Sequence, residues 1–140
     1  MRQSLMAITG AIGVLAIVAC ESSSLADSLD ARLLGAWTTS QADCSKLFVR
    51  RGGALFYRQP VDKFAQAEII EPQQIRGPAS ICRVQRISHA NGVVKLTTQC
   101  SDSISYTEQT AEIKFKPDGE ISYSPTGDPS VNTTLTKCAM

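Results

Sequence analysis

The stretch from Ser80 to Cys100, SICRVQRISHANGVVKLTTQC, decides the fold. Asn91-Gly92 sits at its centre between two runs rich in β-branched residues, Ser80 to Ile87 and Val93 to Cys100. Asn-Gly supplies the positive φ angles that a tight two-residue hairpin turn demands, so the stretch predicts two long antiparallel strands. Centring the hairpin on that turn, with one residue of slack, brings Cys82 close to Cys100 on the neighbouring strand.

Two further turns repeat the pattern. Lys116-Pro117-Asp118-Gly119 divides AEIKF from EISYS, where proline presets the turn and glycine accepts positive φ. Around it Ala111, Ile113 and Phe115 face one way and Lys114 and Lys116 the other, with Ile121 and Tyr123 continuing the apolar face. Arg51-Gly52-Gly53-Ala54 makes a third hairpin between KLFVR and ALFYR, though Phe48 and Val49, like Leu55, Phe56 and Tyr57, are adjacent apolar residues that spoil the alternation. Strand-like segments near 34–39, 45–51, 54–58, 67–71, 80–87, 93–99, 103–107, 110–116, 120–124 and 131–137 give up to ten strands, with eight or nine the working number. Pro60 to Ala67 has a helical turn as its alternative. Many short strands joined by turns predict an all-β domain spanning 34–140, an antiparallel barrel or a sandwich.

The first residues read differently. Arg2 precedes the uncharged run Leu5 to Ala19, a basic segment followed by an apolar one of fifteen residues. That is shorter than the roughly 20 residues of a membrane-spanning helix. Residues 1–19 therefore predict an export signal. Two cleavage sites compete: Ile17-Val18-Ala19-Cys20 resembles the bacterial lipobox, in which the cysteine is lipidated and becomes the new N-terminus, whereas Ser24-Leu25-Ala26 offers the small-x-small pattern of ordinary signal peptidase and would release a soluble protein beginning at Asp27. Residues 20–33, opening with Glu-Ser-Ser-Ser, predict a polar tether leading into a short helix on which Leu25, Leu29 and Leu33 recur every four residues.

Five cysteines leave one over, and either cleavage resolves the parity. Cys20 is the lipidation candidate, and Cys44, Cys82, Cys100 and Cys138 remain for two disulfides in an exported protein. Of the three pairings, Cys82 with Cys100 and Cys44 with Cys138 is preferred, because the second pair joins the first part of the domain to its last strand if the sheet closes.

The chemistry-bearing residues are few. His89 is the single histidine and falls in the expected turn, so no Ser/His/Asp arrangement can be assembled around another base. No Cys-x-x-Cys or histidine cluster offers metal geometry, and no cofactor is expected. Asp102, Glu108 and Glu112 read as a solvated strand edge in preference to a paired-carboxylate hydrolase. The reading is of a non-enzyme. Fourteen Lys+Arg against thirteen Asp+Glu argues against nucleic acid as a partner. The charges are unevenly spread: from Cys44 to Lys95 nine basic residues meet three acidic ones, a net +6, and Arg50, Arg51, Arg58, Arg83 and Arg86 are candidates for a basic surface.

Leu34-Gly35-Ala36-Trp37, with Ser40 and Cys44 following, resembles the opening of two groups of small barrels. One is lipocalin-like, with a G-x-W first strand; the other is the bacterial periplasmic metalloprotease-inhibitor barrel, in which G-x-W precedes a serine and a disulfide cysteine. Small outer-membrane lipoproteins with a lipobox, a tether and a G-x-W barrel are similar. The resemblance covers about 15 of the 140 residues, and the chain departs from the inhibitor barrels in having four domain cysteines where they usually have two. It implies that Trp37 packs across the barrel base and that, in an inhibitor, residues around Ser28 to Leu34 reach into a protease cleft. The fold the resemblance implies is a small lipocalin-like antiparallel barrel of about eight strands, which, built from Gly35 to Cys138, is short and is expected to be filled by its own side chains. The expected function is that of an outer-membrane lipoprotein facing the periplasm, or of a soluble periplasmic or secreted protein after cleavage at Ala26. Either form is expected to act as a binding module towards a protease or another envelope protein. A lipocalin-like carrier of a small apolar ligand and a structural envelope protein are the alternatives.

Overall fold

The computed structural model describes residues 28–140. The export signal, Cys20 and the cleavage site at Ala26 lie outside the described residues.

The chain folds as a closed antiparallel barrel of eight strands, with a two-stranded hairpin set against its outside. In chain order the strands are β1 (Gly35–Thr38), β2 (Phe48–Arg51), β3 (Ala54–Tyr57), β4 (Ala67–Glu71), β5 (Gln74–Arg76), β6 (Ile81–Ala90), β7 (Val93–Ser101), β8 (Tyr106–Phe115), β9 (Ile121–Ser124) and β10 (Thr133–Lys137). Around the barrel the order is β1-β10-β9-β8-β7-β6-β5-β4, and β4 pairs back onto β1. Closure leaves no edge strand in the eight-stranded sheet.

The central hairpin forms at the expected turn: Ala90 pairs with Val93, and Asn91 and Gly92 take φ 51° and 74°. Cys82 and Cys100 are directly opposed in its register, and both disulfides, Cys82–Cys100 and Cys44–Cys138, are formed. The slack in the register is a bulge between Val84 and Arg86, which keeps both Val84 and Ile87 against the core.

Because side chains alternate across a strand, one set from each strand fills the interior. Trp37, Ile70, Ile75, Leu96, Ile113, Ile121 and Leu135 are all buried there. A second cluster lies outside the wall, where Ala36, Ala67 and Ile69 pack with Phe48, Cys44 and Cys138 under β2 and β3. The apolar pairs that blurred the third hairpin are thereby explained. Phe48 and Tyr57 share one face, against the barrel, with ring centroids 5.3 Å apart, whereas Val49 and Phe56 share the other.

Several expected boundaries move. Residues 44–47 form a one-turn helix, α1 (Cys44–Leu47), so the strand expected from 45 starts at Phe48. Residues 103–105 are a turn, and β8 runs unbroken from Tyr106. β5, three residues long, was not anticipated. The helix expected through Leu25, Leu29 and Leu33 is, where described, a single 3-10 turn at Ala31–Leu33, with Asp30 capping Arg32 N. The tether boundary at 33 also shifts: Leu29 and Leu33 are buried in the barrel core, so the folded unit reaches back to Leu29.

Candidate functional site

The two ends of the barrel differ. One end, the base, is closed by the chain leading into β1. Leu29 and Leu33 plug it, Arg32 lies over the Phe115 ring at 4.1 Å, and Trp37 Nε1 donates to Leu33 O at 2.7 Å. Lys137, opposite Trp37 in register, extends over the indole at 5.6 Å and donates to Arg32 O. Gly35 makes room for it: its φ is +134°, and a Cβ there would stand 3.1 Å from Lys137 Cε. The glycine and tryptophan of G-x-W thus act together at the base. In the segment that the inhibitor resemblance would send into a protease cleft, Leu29 and Leu33 are buried in the barrel's own core, whereas Ser28, Ala31 and Arg32 are exposed.

The other end, the mouth, is open and polar. A cavity of about 370 Å³ lies there, lined by Glu68, Ser80, the Cys82–Cys100 disulfide, Ser101, Asp102, Ser105, Thr107, Gln109, Tyr123 and Pro125. Glu68 reaches it because β4 has two covered faces. Ala67 and Ile69 point outward beneath the β2–β3 hairpin, so Glu68 and Ile70 must point inward. Trp37 pairs in register with Lys137 on one side and Glu68 on the other, and the two charges diverge: Lys137 leads to the base and Glu68 to the mouth.

The two carboxyls of the cavity stand in different states. Asp102 is used by its own turn, accepting from Ile104 N, Ser105 N and Ser105 Oγ, and these bonds hold it below the usual carboxylate range. Glu68 accepts no hydrogen bond and meets no cation among the described residues, and burial alone pushes it up to about 7. Tyr123, across the mouth, is pushed up by burial and then by the nearby Glu68. Behind the wall the Tyr57 hydroxyl shares its one proton between Arg76 O at 2.7 Å and Ala67 O at 2.9 Å, and Arg76 is engaged by Glu71 at 2.8 Å and by Leu55 O. Glu68 is half-buried, and two wider depressions, near the β4–β5 turn and beside α1, hold no carboxyl raised in this way.

The expected basic surface falls on two separate elements. Arg50 and Arg51 lie on β2 and Arg58 follows β3, whereas Arg83 and Arg86 lie on β6. Arg50 is tied to Gly53 O and Met140 O, and Arg58 to Ser45 O, so these two serve to hold loops. The three acidic residues weighed as a hydrolase pair do not converge: Glu112 pairs with Lys95 at 3.0 Å, Glu108 is exposed on β8, and Asp102 belongs to the mouth. Among the described residues no group of three His, Cys, Asp or Glu is placed to hold a metal ion.

Glu68 and the polar mouth were missed at the sequence level. Its segment, AEIIE, reads as a short apolar strand flanked by solvated glutamates, and nothing local signals that both faces of β4 are covered. Comparison with known proteins finds no match: no family model, no curated protein and no solved structure is significantly similar to this chain.

Proposed function

We propose that this chain is an exported cell-envelope lipoprotein, anchored through Cys20, whose disulfide-stapled barrel binds a protein partner without catalysing a reaction. The outer side of the barrel mouth is the binding face. The observation that carries this is the exposed apolar row beside the rim: Ile81, Ser101 and Tyr106 are in register on the outward side of β6, β7 and β8, and Ile104 stands at the adjoining turn. Ile104 is 93% exposed, Tyr106 69% and Ile81 49%. Large apolar side chains grouped in this way favour association with another protein. A protease or another envelope protein is the class of partner. The filled interior and the polar cavity speak against the carrier of an apolar ligand, which needs apolar walls around empty space.

Photo-cross-linkers placed singly at Ile104 and Tyr106, with Asn91 at the opposite end as control, test this in cells producing the full chain. The expected result is one defined protein adduct from the mouth positions and none from Asn91. Adducts of equal yield at all three positions, or none at any, would refute it. Incubation with a panel of secreted metalloproteases separates the inhibitory version, which unchanged hydrolysis across the panel eliminates.

A further inference from the structure

We infer that the barrel mouth is a binding site for a small primary ammonium compound, with Glu68 as its counter-ion. The inference stands on the cavity and is independent of the protein partner proposed above. The cavity, about 370 Å³, is of small-ligand size and is enclosed by the ends of β4, β6, β7, β8 and β9. Its lining includes two carboxyls and no basic side chain, so its own field is negative. One of these carboxyls, Asp102, is saturated by its turn; the other, Glu68, faces the cavity with its oxygens unengaged among the described residues.

The chemical class follows from what surrounds that carboxyl. An ammonium group has three donors and no acceptor. Glu68 offers the charge, and the hydroxyl oxygens of Ser80, Ser105 and Thr107 with the Gln109 amide oxygen offer acceptors in the same cavity. A quaternary ammonium is disfavoured, because its recognition relies on several aromatic faces and Tyr123 is the single aromatic residue here. An anion would meet two carboxyls and no cation in the lining.

The charged and titratable groups around Glu68 leave it uncompensated in every direction. Tyr123 is a neutral phenol across the mouth, and Asp102 carries a like charge at the rim. Tyr57 and Arg76 are engaged behind the wall, and Lys137 is turned to the base beyond Trp37. A bound ammonium therefore supplies the one opposite charge this carboxyl lacks. Binding favours the ionised form, so a proton leaves Glu68 when the complex forms near neutral pH.

The test is calorimetric titration of the full oxidised chain with 1,4-diaminobutane at pH 5 and pH 8, with 1,4-butanediol as the neutral isostere. Binding is expected at pH 8, weaker at pH 5, with proton release near pH 7. E68Q is expected to weaken binding about tenfold or more, as loss of a buried charge partner does. The Glu68 carboxyl carbon, followed by NMR in the unsubstituted chain at pH 6, where it is still mostly protonated, should shift towards its ionised position as diamine is added. This readout stands even if the variant folds poorly. Failure of the diamine to bind at millimolar concentration, equal binding by E68Q, equal binding of the diol, or an unmoved carboxyl resonance would each overturn the inference.

Discussion

Replacing Glu68 by glutamine should make the protein more stable at neutral and alkaline pH, and the size of the gain follows from burial. An unfolded glutamate loses its proton near 4.5, whereas the folded chain holds that of Glu68 until about 7. Between those values the native state carries a proton that the unfolded state has lost, so stability falls as pH rises through the window. At about 1.4 kcal/mol per pH unit, the ionised fold above the upper value is penalised by roughly 3 kcal/mol relative to acid. Glutamine keeps the shape and never ionises, so the variant lacks this slope. Asp102, Asp128 and Glu71, which are held low by hydrogen bonds, give slopes of the opposite sign, but equally in both proteins. They cancel in the difference. Urea unfolding from pH 4 to pH 8, followed by the fluorescence of the single tryptophan, Trp37, measures that difference directly. The two proteins should nearly coincide at pH 4 and separate steadily, with E68Q ahead by roughly 3 kcal/mol at pH 8. A difference that does not grow with pH, or a variant less stable at pH 8, would show that Glu68 is not the desolvated, uncompensated group described above.

Other consequences are open to measurement. The disulfides close loops of very different size, with sequence separations of 94 for Cys44–Cys138 and 18 for Cys82–Cys100. Removing each pair as alanines should cost roughly 4.7 and roughly 3 kcal/mol on loop-closure entropy, and equal losses in denaturant titrations would count against that ordering. W37F deletes the donor to Leu33 O and the surface on which Lys137 rests, and should lose about 2–4 kcal/mol in the same assay. G35A places a Cβ at φ +134° against the Lys137 stem and should lower stability by about 1–3 kcal/mol; a neutral result would mean that the base accommodates a side chain there. Intact mass of protein recovered from its own membrane should show an acylated chain starting at Cys20, whereas an unmodified chain starting at Asp27 would remove the anchor.

Much of the barrel was legible because its signals are local. Asn91-Gly92, Gly52-Gly53 and Lys116 to Gly119 each specify a turn by backbone geometry, and the strands beside the last alternate cleanly enough to set their register. The turn by itself brought Cys82 to within one residue of Cys100, and the bulge between Val84 and Arg86 sets the two directly opposite. Adjacent apolar residues were the weak point. Phe48-Val49 and Leu55-Phe56-Tyr57 do not reveal which face meets a core, and this hairpin lies against the outside of the barrel, not within its wall.

The sequence by itself determined the strand content, the turns and the pairing of the hairpin cysteines, because each depends on residues close together in the chain. Only the tertiary structure decided which faces of those strands are covered. β4 is enclosed by the interior on one side and by the β2–β3 hairpin on the other, so its two isoleucines point in opposite directions. Glu68, which shares the inward side with Ile70, is thereby turned into the barrel mouth. A glutamate between Ala67 and Ile69 on a strand with one free face would lie in water; closure of the sheet and docking of a distant hairpin remove that option.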